Sequence, residues 1–316
     1  MKKFLIKNLN NESSETGSNY KHHIESITID GIPRFVNIED NYSENFGYQW
    51  NKWHSILSDK RHPNNSGKKY DTIVKRTKFD KLETKDKTIL ECGCGGGDDT
   101  EVLLKFPFSE IHAFDLSNAV DRAAKFLKDP RLVFSQASIF DIPYEDESFD
   151  FVYCHRVLQH TPDPEKALKS IMSKVKPGGV LFVHSYHKSK NYMRHFKYKY
   201  RFITKRISVK KIEWFLDKYA NTMHNLIEKM NQNRFLKRMA YAFIPLEYTQ
   251  SFGNFSRAEI IELEKLVTFD ALTPAYDKPM TWETMKNMVE SENFEILFSN
   301  PNPSGSPIYL TARKII

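Results

Sequence analysis

The sequence predicts an α/β fold built on a doubly wound, mainly parallel sheet, and three observations carry that prediction. Short apolar runs alternate with stretches of helical pattern between positions 87 and 184, an arrangement that requires a sheet covered on both faces. One run, Thr88-Ile89-Leu90-Glu91, ends in an acid and passes into four glycines within the five positions 93–97. A second run, Ile111-His112-Ala113-Phe114-Asp115, ends in another acid 24 positions after Glu91.

Taken in order, residues 1–20 are polar and rich in Asn and Ser, a composition unsuited to a core of its own. Residues 24–35 read as a small hairpin around Asp30-Gly31. Residues 41–57 carry Tyr42, Phe46, Tyr48, Trp50 and Trp53 at near-helical spacing. That stripe reads either as a helix packing on the sheet domain or as a lid over a ligand, with Gln49 and Tyr48 as polar contacts. The first sheet strand, 88–91, then delivers the chain to the glycine loop, where the main chain is open to close approach. Asp98 stands where the dinucleotide fingerprint G-x-G-x-x-G wants its third glycine. A carboxylate there repels a pyrophosphate at a helix N-terminus, so the loop suits a ligand without phosphates.

The second strand, 111–115, brings Asp115 to a place where an acid can take both hydroxyls of a ribose. Residues 132–135 read as a third strand with Ser138-Ile139 at its mouth, and 149–154 as a fourth. Asp163-Pro164-Glu165 starts a helix over 166–175, and Lys176-Pro177-Gly178-Gly179 turns into a fifth strand, 180–184. Residues 187–249 interrupt this order. Within them, 188–211 hold ten Lys or Arg and no acid, interleaved with Tyr192, Phe196, Tyr198, Tyr200 and Phe202. Such a mixture fits nucleic acid, lysines snorkelling over an apolar face, or a grip on an anionic small substrate. Residues 294–299 and 308–314 read as a closing strand pair.

The 316 residues, 40% of them hydrophobic, allow one to two domains with a sizeable core, and the net charge is +7. The organisation expected is an N-terminal extension (1–70), a core (71–186), a basic helical insertion covering the substrate (187–267) and C-terminal strands (268–316). Three cysteines, Cys92, Cys94 and Cys154, cannot form a secreted disulfide framework. The C-x-C pair lacks two further ligands for zinc, so no metal site is expected. The opening run of apolar residues is too short for a signal peptide, and no stretch reaches the length of a membrane span. A cytoplasmic enzyme is the expectation; the sequence leaves its oligomeric state open.

The segments ECGCGGG, AFDLS, DIPYEDESFDFVYCHRVLQHTPDPEKAL and KVKPGG resemble, in order and spacing, the successive motifs of class I S-adenosylmethionine-dependent methyltransferases, in particular the small-molecule group called type 11. Gly31-Ile32-Pro33-Arg34-Phe35 with Phe46-Gly47-Tyr48-Gln49-Trp50, and Thr268-Phe269-Asp270 with Leu272-Thr273-Pro274-Ala275-Tyr276, resemble the ends of a bacterial subgroup associated with glycan or secondary-metabolite pathways. The resemblance implies a Rossmann-like, seven-stranded sheet and S-adenosyl-L-methionine as cofactor. It places Glu91, Gly93, Cys94 and Gly95 around the methionine part, Asp115 on the ribose and Leu116 on the adenine. Ser138 and Ile139 stand where the family more often has Asp-Ala. Cys154 and His155 end the fourth strand beside the sulfonium, and Gln49 joins from the lid.

His160, in the VLQH segment, is the preferred general base, because an imidazole's ordinary pKa suits proton removal near neutrality. The competing reading is that it caps or packs the following helix. His155 suits the role less, His184, Tyr186 and His187 are reserves, and Tyr276 could reach the same place. The acceptor implied is a small molecule, possibly anionic in view of the basic insertion, methylated on an oxygen of a sugar, glycan precursor or other hydroxylated metabolite. A nucleic acid bound through the basic insertion and a small amine methylated on nitrogen are the alternatives. A non-catalytic cofactor-binding module is disfavoured by the intact loop. Cys154-His155-Arg156-Val157 is not the Asn/Asp-Pro-Pro-Tyr/Phe signature used for exocyclic amines of bases.

Overall fold

The computed structural model describes residues 27–36, 42–53, 56–58, 67–188, 193, 195–301 and 307–316. The polar segment 1–20, the start of the expected hairpin and Tyr192 lie outside the described residues. In chain order the elements are β1 (Ile27–Ile29), β2 (Ile32–Phe35), α1 (Glu44–Lys52), α2 (Lys68–Thr77), β3 (Thr88–Cys92), α3 (Asp98–Leu103), β4 (Glu110–Asp115), α4 (Ala119–Phe126), β5 (Leu132–Ala137), β6 (Phe149–Cys154) and α5 (Pro164–Ser173). They continue with β7 (Val175–Ser185), α6 (Phe196–Thr204), α7 (Val209–Met230), α8 (Arg234–Phe243), α9 (Arg257–Leu272), α10 (Trp282–Ser291), β8 (Phe294–Asn300) and β9 (Ile308–Lys314).

All nine of these strands join one sheet in the order β1-β2-β5-β4-β3-β6-β7-β9-β8. The expected seven strands are its body; the hairpin β1-β2 raises the count to nine by pairing β2 parallel to the edge of β5. The hairpin turn is Asp30-Gly31, both residues at positive φ, as a two-residue turn matched to strand twist requires. Arg34 fastens the hairpin: its guanidinium donates to Gln136 Oε1 at 3.3 Å and pairs with Asp121 of α4. A second departure concerns β7. Val175 already pairs with Phe149, while Val180 pairs with Phe151, so Lys176-Pro177-Gly178-Gly179 is a bulge inside one strand and not a turn before it. The helix α10, unanticipated, precedes the closing antiparallel pair β8-β9.

The central strands are apolar on both faces, as a sheet covered on both sides demands. Leu90, Val152, Cys154, Leu181 and Val183 pack with Leu168 and Ile171 of α5 and Met285 of α10. Ile89, Phe151, Tyr153 and Phe182 turn the other way, onto Val102 and Leu103 of α3, Ile73 of α2 and Phe79. Successive side chains of one strand therefore build two separate cores.

The chain divides into two compact units: the described parts of Met1–Asn41, Tyr70–His187 and Tyr276–Ile316 carry the sheet, and those of Tyr42–Lys69 and Lys188–Ala275 form a helical second unit. In the second unit Trp53, Ile212, Leu216, Leu263, Leu266 and Phe269 form the core. Tyr48 and Lys52 of α1 both bond Glu213 of α7, and buried Glu264 of α9 receives His224 Nδ1 at 2.9 Å and Thr249 N–H at 2.7 Å. Arg201, counted among the basic charges of the insertion, is buried and donates to the carbonyls of Ala271 and Pro274. Among the described residues no helix is long and apolar enough to cross a membrane, and no group of His, Cys, Asp or Glu is arranged to hold a metal ion.

Candidate functional site

The site begins where β3 and β4 end. Gly93 and Cys94 donate their N–H groups to Phe114 O at 2.8 and 2.9 Å, which stitches the loop to the end of β4. Gly93 has φ +81°, and a Cβ there would lie 2.4 Å from Val157 Cγ2, so no other residue fits without moving the loop after β6. Asp115 closes the arrangement: its carboxylate accepts from Gly95 N at 2.8 Å, Ser117 N at 2.8 Å and Ser117 Oγ at 2.6 Å. Burial pushes the Asp115 carboxyl up, and the three donors partly offset this. Glu91 is buried one strand away and accepts from Thr100 Oγ1 of α3 at 2.6 Å. The first turn of α3 holds Asp98, Asp99 and Glu101, carboxylates suited to the positive end of a helix.

The remaining expected residues fall into three groups. Leu116 lies beside Asp115, with its carbonyl taking Gln136 Nε2–H at 2.8 Å. Ser138 Oγ accepts from Phe140 N at 3.2 Å, whereas Ile139 is buried in the apolar core beside Phe149. Cys154 is buried in the same core, and burial raises its thiol far above the ordinary range. Gln49 belongs to the second unit, where its Nε2 reaches Asp270 Oδ1 at 3.3 Å.

His155 sits in a network that sequence reasoning missed. Its Nδ1 is 2.5 Å from Asp99 Oδ2 and its Nε2 is 2.7 Å from Arg76 NH1. A guanidinium can only donate, so Nε2 accepts and the ring proton resides on Nδ1, facing the carboxylate. The imidazole is thereby neutral, and its pKa is lowered to about 4, chiefly by burial. Tyr153 OH donates to the same Asp99 oxygen at 2.8 Å. His184 of β7 meets the His155 ring edge-on at a centroid distance of 4.6 Å, and its buried Nδ1 has no hydrogen-bond partner among the described residues. Burial and the neighbouring cations hold His184 neutral as well. Arg156 follows with φ +64°, a left-handed backbone at a non-glycine residue, of the kind that concentrates at functional sites. Burial first, then the charge of Arg156, lowers the pKa of Arg76. No spacing in the sequence announces this cluster, because Arg76, Asp99 and His155 come from three separate segments.

His160 lies in a buried 3-10 turn, Leu158–His160, directly after the loop. Its Nδ1 is 3.3 Å from the carbonyl of Tyr276, and its ring meets Tyr186 edge-on at 5.6 Å. A carbonyl only accepts, so Nδ1 carries the proton that faces it. Tyr276 therefore contributes its backbone to this arrangement.

A doubly wound sheet with a glycine loop after one strand and an acid ending the next is a Rossmann-like arrangement that places a ligand site at the strand ends. Residues 90–183 match the family described as methyltransferase domain, and this stretch is similar to that family in its type 11 branch. The chain is 37% identical over 109 residues to a mitochondrial ubiquinone biosynthesis O-methyltransferase of Candida albicans, an alignment covering 32% of this chain and 33% of the relative. It is 34% identical over 108 residues to phosphoethanolamine N-methyltransferase 2 of Caenorhabditis elegans, covering 32% and 24%. The chain thus matches about a quarter to a third of the length of these curated relatives. Among solved structures it is similar, at a TM-score of 0.45 and 12% identity over 86% of this chain and 99% of the other, to the N-methyltransferase NodS of Bradyrhizobium japonicum in complex with S-adenosyl-L-homocysteine.

Proposed function

We propose that the protein transfers a methyl group from S-adenosyl-L-methionine to a hydroxyl of a small molecule, of the class of sugars, glycan precursors or comparable metabolites. The observation that carries this reading is the junction at the ends of β3 and β4. There a loop with no room for a side chain at Gly93 meets a half-buried carboxylate, Asp115, that already holds Gly95 N–H. A carboxylate partly withdrawn from water favours hydroxyl donors such as those of a ribose. The acids of the first α3 turn suit a cationic ligand without phosphates. When bound, the cofactor supplies a methyl group on a positively charged sulfur.

In this reading Glu91, Gly93, Cys94 and Gly95 line the methionine part, Asp115 takes the ribose, and Leu116, Ser138 and Ile139 border the adenine. Arg76 and Arg156 add positive charge beside His155 and suit a carboxylate, whether of the cofactor's methionine end or of the acceptor. The acceptor hydroxyl passes its proton to Nε2 of His160 as its new O–C bond forms and the S–C bond breaks. The Tyr276 carbonyl keeps that imidazole in the tautomer the transfer needs. The second unit, which the chain enters just after β7, is the part we assign to acceptor selection.

Similarity to an enzyme named as an N-methyltransferase supports a second reading, an amine acceptor. An amine that is unprotonated at neutral pH needs no base, so one experiment weighs both readings. Calorimetry with S-adenosyl-L-homocysteine should show Asp115→Asn weakening binding about tenfold, the loss of charge on one acceptor of two hydroxyls. With the acceptor in hand, His160→Ala should lower turnover by roughly 10²–10⁴-fold with cofactor affinity retained. Unchanged turnover favours the amine, and tight binding of a nicotinamide dinucleotide in place of the homocysteine compound would overturn the reading altogether.

A further inference from the structure

The helical second unit carries an exposed apolar surface on α8. Helix α8 spaces Phe235, Leu236, Met239 and Phe243 along one side, while Arg234, Lys237, Arg238 and Tyr241 fall on the other. An ordinary amphipathic helix would press the first set into a core. Here Phe235 is 69% exposed, Phe243 51%, Leu236 41% and Met239 39%, and only Ala240, on the flank of the stripe, is buried. Ala240 packs with Ala220, Ile227 and Leu246, so the helix is anchored through its smallest residue and its large apolar side chains stay in solvent.

The stripe is held in shape. Asn233 caps the helix by accepting from Phe235 N at 2.8 Å and Leu236 N at 3.2 Å. At the other end Tyr200 OH donates to Phe243 O at 2.9 Å, and Lys199 lies 3.9 Å from the Phe243 ring centroid. Those two residues belong to α6, whose Phe202 and Ile203 are themselves exposed. The chain from 229 to 246 holds four cations and no acid. Uncompensated charge of one sign around a preformed apolar stripe selects the partner. A second copy docked on this face would set Arg234, Lys237 and Arg238 against themselves, which is repulsive. A nucleic acid has no use for Leu236 and Met239.

We propose that α8, with the exposed end of α6, is a docking face for an anionic lipid bilayer surface. Its apolar stripe would enter the headgroup region, and Arg234, Lys237, Arg238 and Lys199 would engage the lipid phosphates. The face would bring the protein to a bilayer surface.

Co-sedimentation of the full chain with vesicles of phosphatidylcholine alone, and of phosphatidylcholine with about 30 mol% phosphatidylglycerol, tests this. Binding should require the anionic lipid, fall as salt rises, and drop at least ~10-fold in Phe235→Glu/Met239→Glu, since apolar area is lost and two negative charges are added. Lys237→Glu/Arg238→Glu should weaken binding while preserving the apolar stripe. All four positions are solvent-exposed, so circular dichroism and homocysteine-compound affinity should stay as in the wild type, which keeps this test separate from that of the catalytic reading. Equal binding to both vesicle types, or none to either, overturns the proposal. So does a dimer in light scattering that Phe235→Glu/Met239→Glu dissolves, or RNA retention that the same variant abolishes.

Discussion

At His155 one hydrogen bond decides a protonation state, and that state carries a pH dependence. The ring accepts from Arg76 and donates to Asp99, and its pKa falls from the ordinary value near 6.5 to about 4. Between those two values the unfolded chain binds a proton that the folded chain refuses. Stability therefore declines as pH falls through about 6.5 and levels off below about 4. Urea midpoints measured between about pH 6.5 and pH 5, above most carboxylate titrations, should fall in the wild type and fall less in His155→Gln. Glutamine can still accept from Arg76 and donate to Asp99, so the variant removes the titration while keeping the contacts. An identical pH slope in both proteins would show that His155 contributes no such term. His184, also held neutral, titrates in the same direction and keeps the variant's slope above zero.

At the scale of elements, how legible each piece was followed from how local its cause is. The hairpin β1-β2 was readable because Asp30-Gly31 fixes its turn, and β3, β4 and β6 because burial on both faces makes each an apolar run. Two features were hidden. The bulge in β7 looks like a turn, since Pro177-Gly178-Gly179 has turn composition and only the pairing of Val175 with Phe149 reveals a strand. Helix α10 announces itself through the cap Thr281, which accepts from Thr284 N at 3.0 Å, and through Met285 and Val289, a pattern too short to stand out. The same distinction separates two glycines. Gly31 has φ +78° and nothing within 4 Å of a built Cβ, so Gly31→Ala should cost only the left-handed backbone, about 1–2 kcal/mol. Gly93→Ala adds a 2.4 Å encounter with Val157 and should cost on the order of 3–4 kcal/mol, with weakened cofactor binding. Equal losses in denaturant unfolding for the two variants would mean that the loop after β6 yields freely, and the close-fitting cradle would have to be abandoned.

At the scale of the molecule, the sequence motifs that read most clearly all lie in the unit that carries the sheet, and the basic insertion lies in the other. Charge counting treated the insertion as one uniform surface. Folding divides it: Arg201 is held by the carbonyls of Ala271 and Pro274, while Arg234, Lys237 and Arg238 of α8 face solvent. A ligand that binds only the folded state stabilises what it touches, so hydrogen exchange with and without S-adenosyl-L-homocysteine maps the site onto the units. Exchange should slow in the loop 93–97, around Asp115 and Leu116, around Ser138 and in the turn after β6, because these backbones follow the strand ends to which the proposed reading assigns the cofactor. Helix α1 reports separately on Gln49, whose Nε2 is held by Asp270 but whose buried Oε1 has no hydrogen-bond partner among the described residues. Slowed exchange across α1 would assign Gln49 to the same ligand, and unchanged exchange would leave it to the packing of its own unit. Protection confined to α6–α8, with the glycine loop untouched, would place the ligand on the helical unit and remove the basis for reading Asp115 as its anchor.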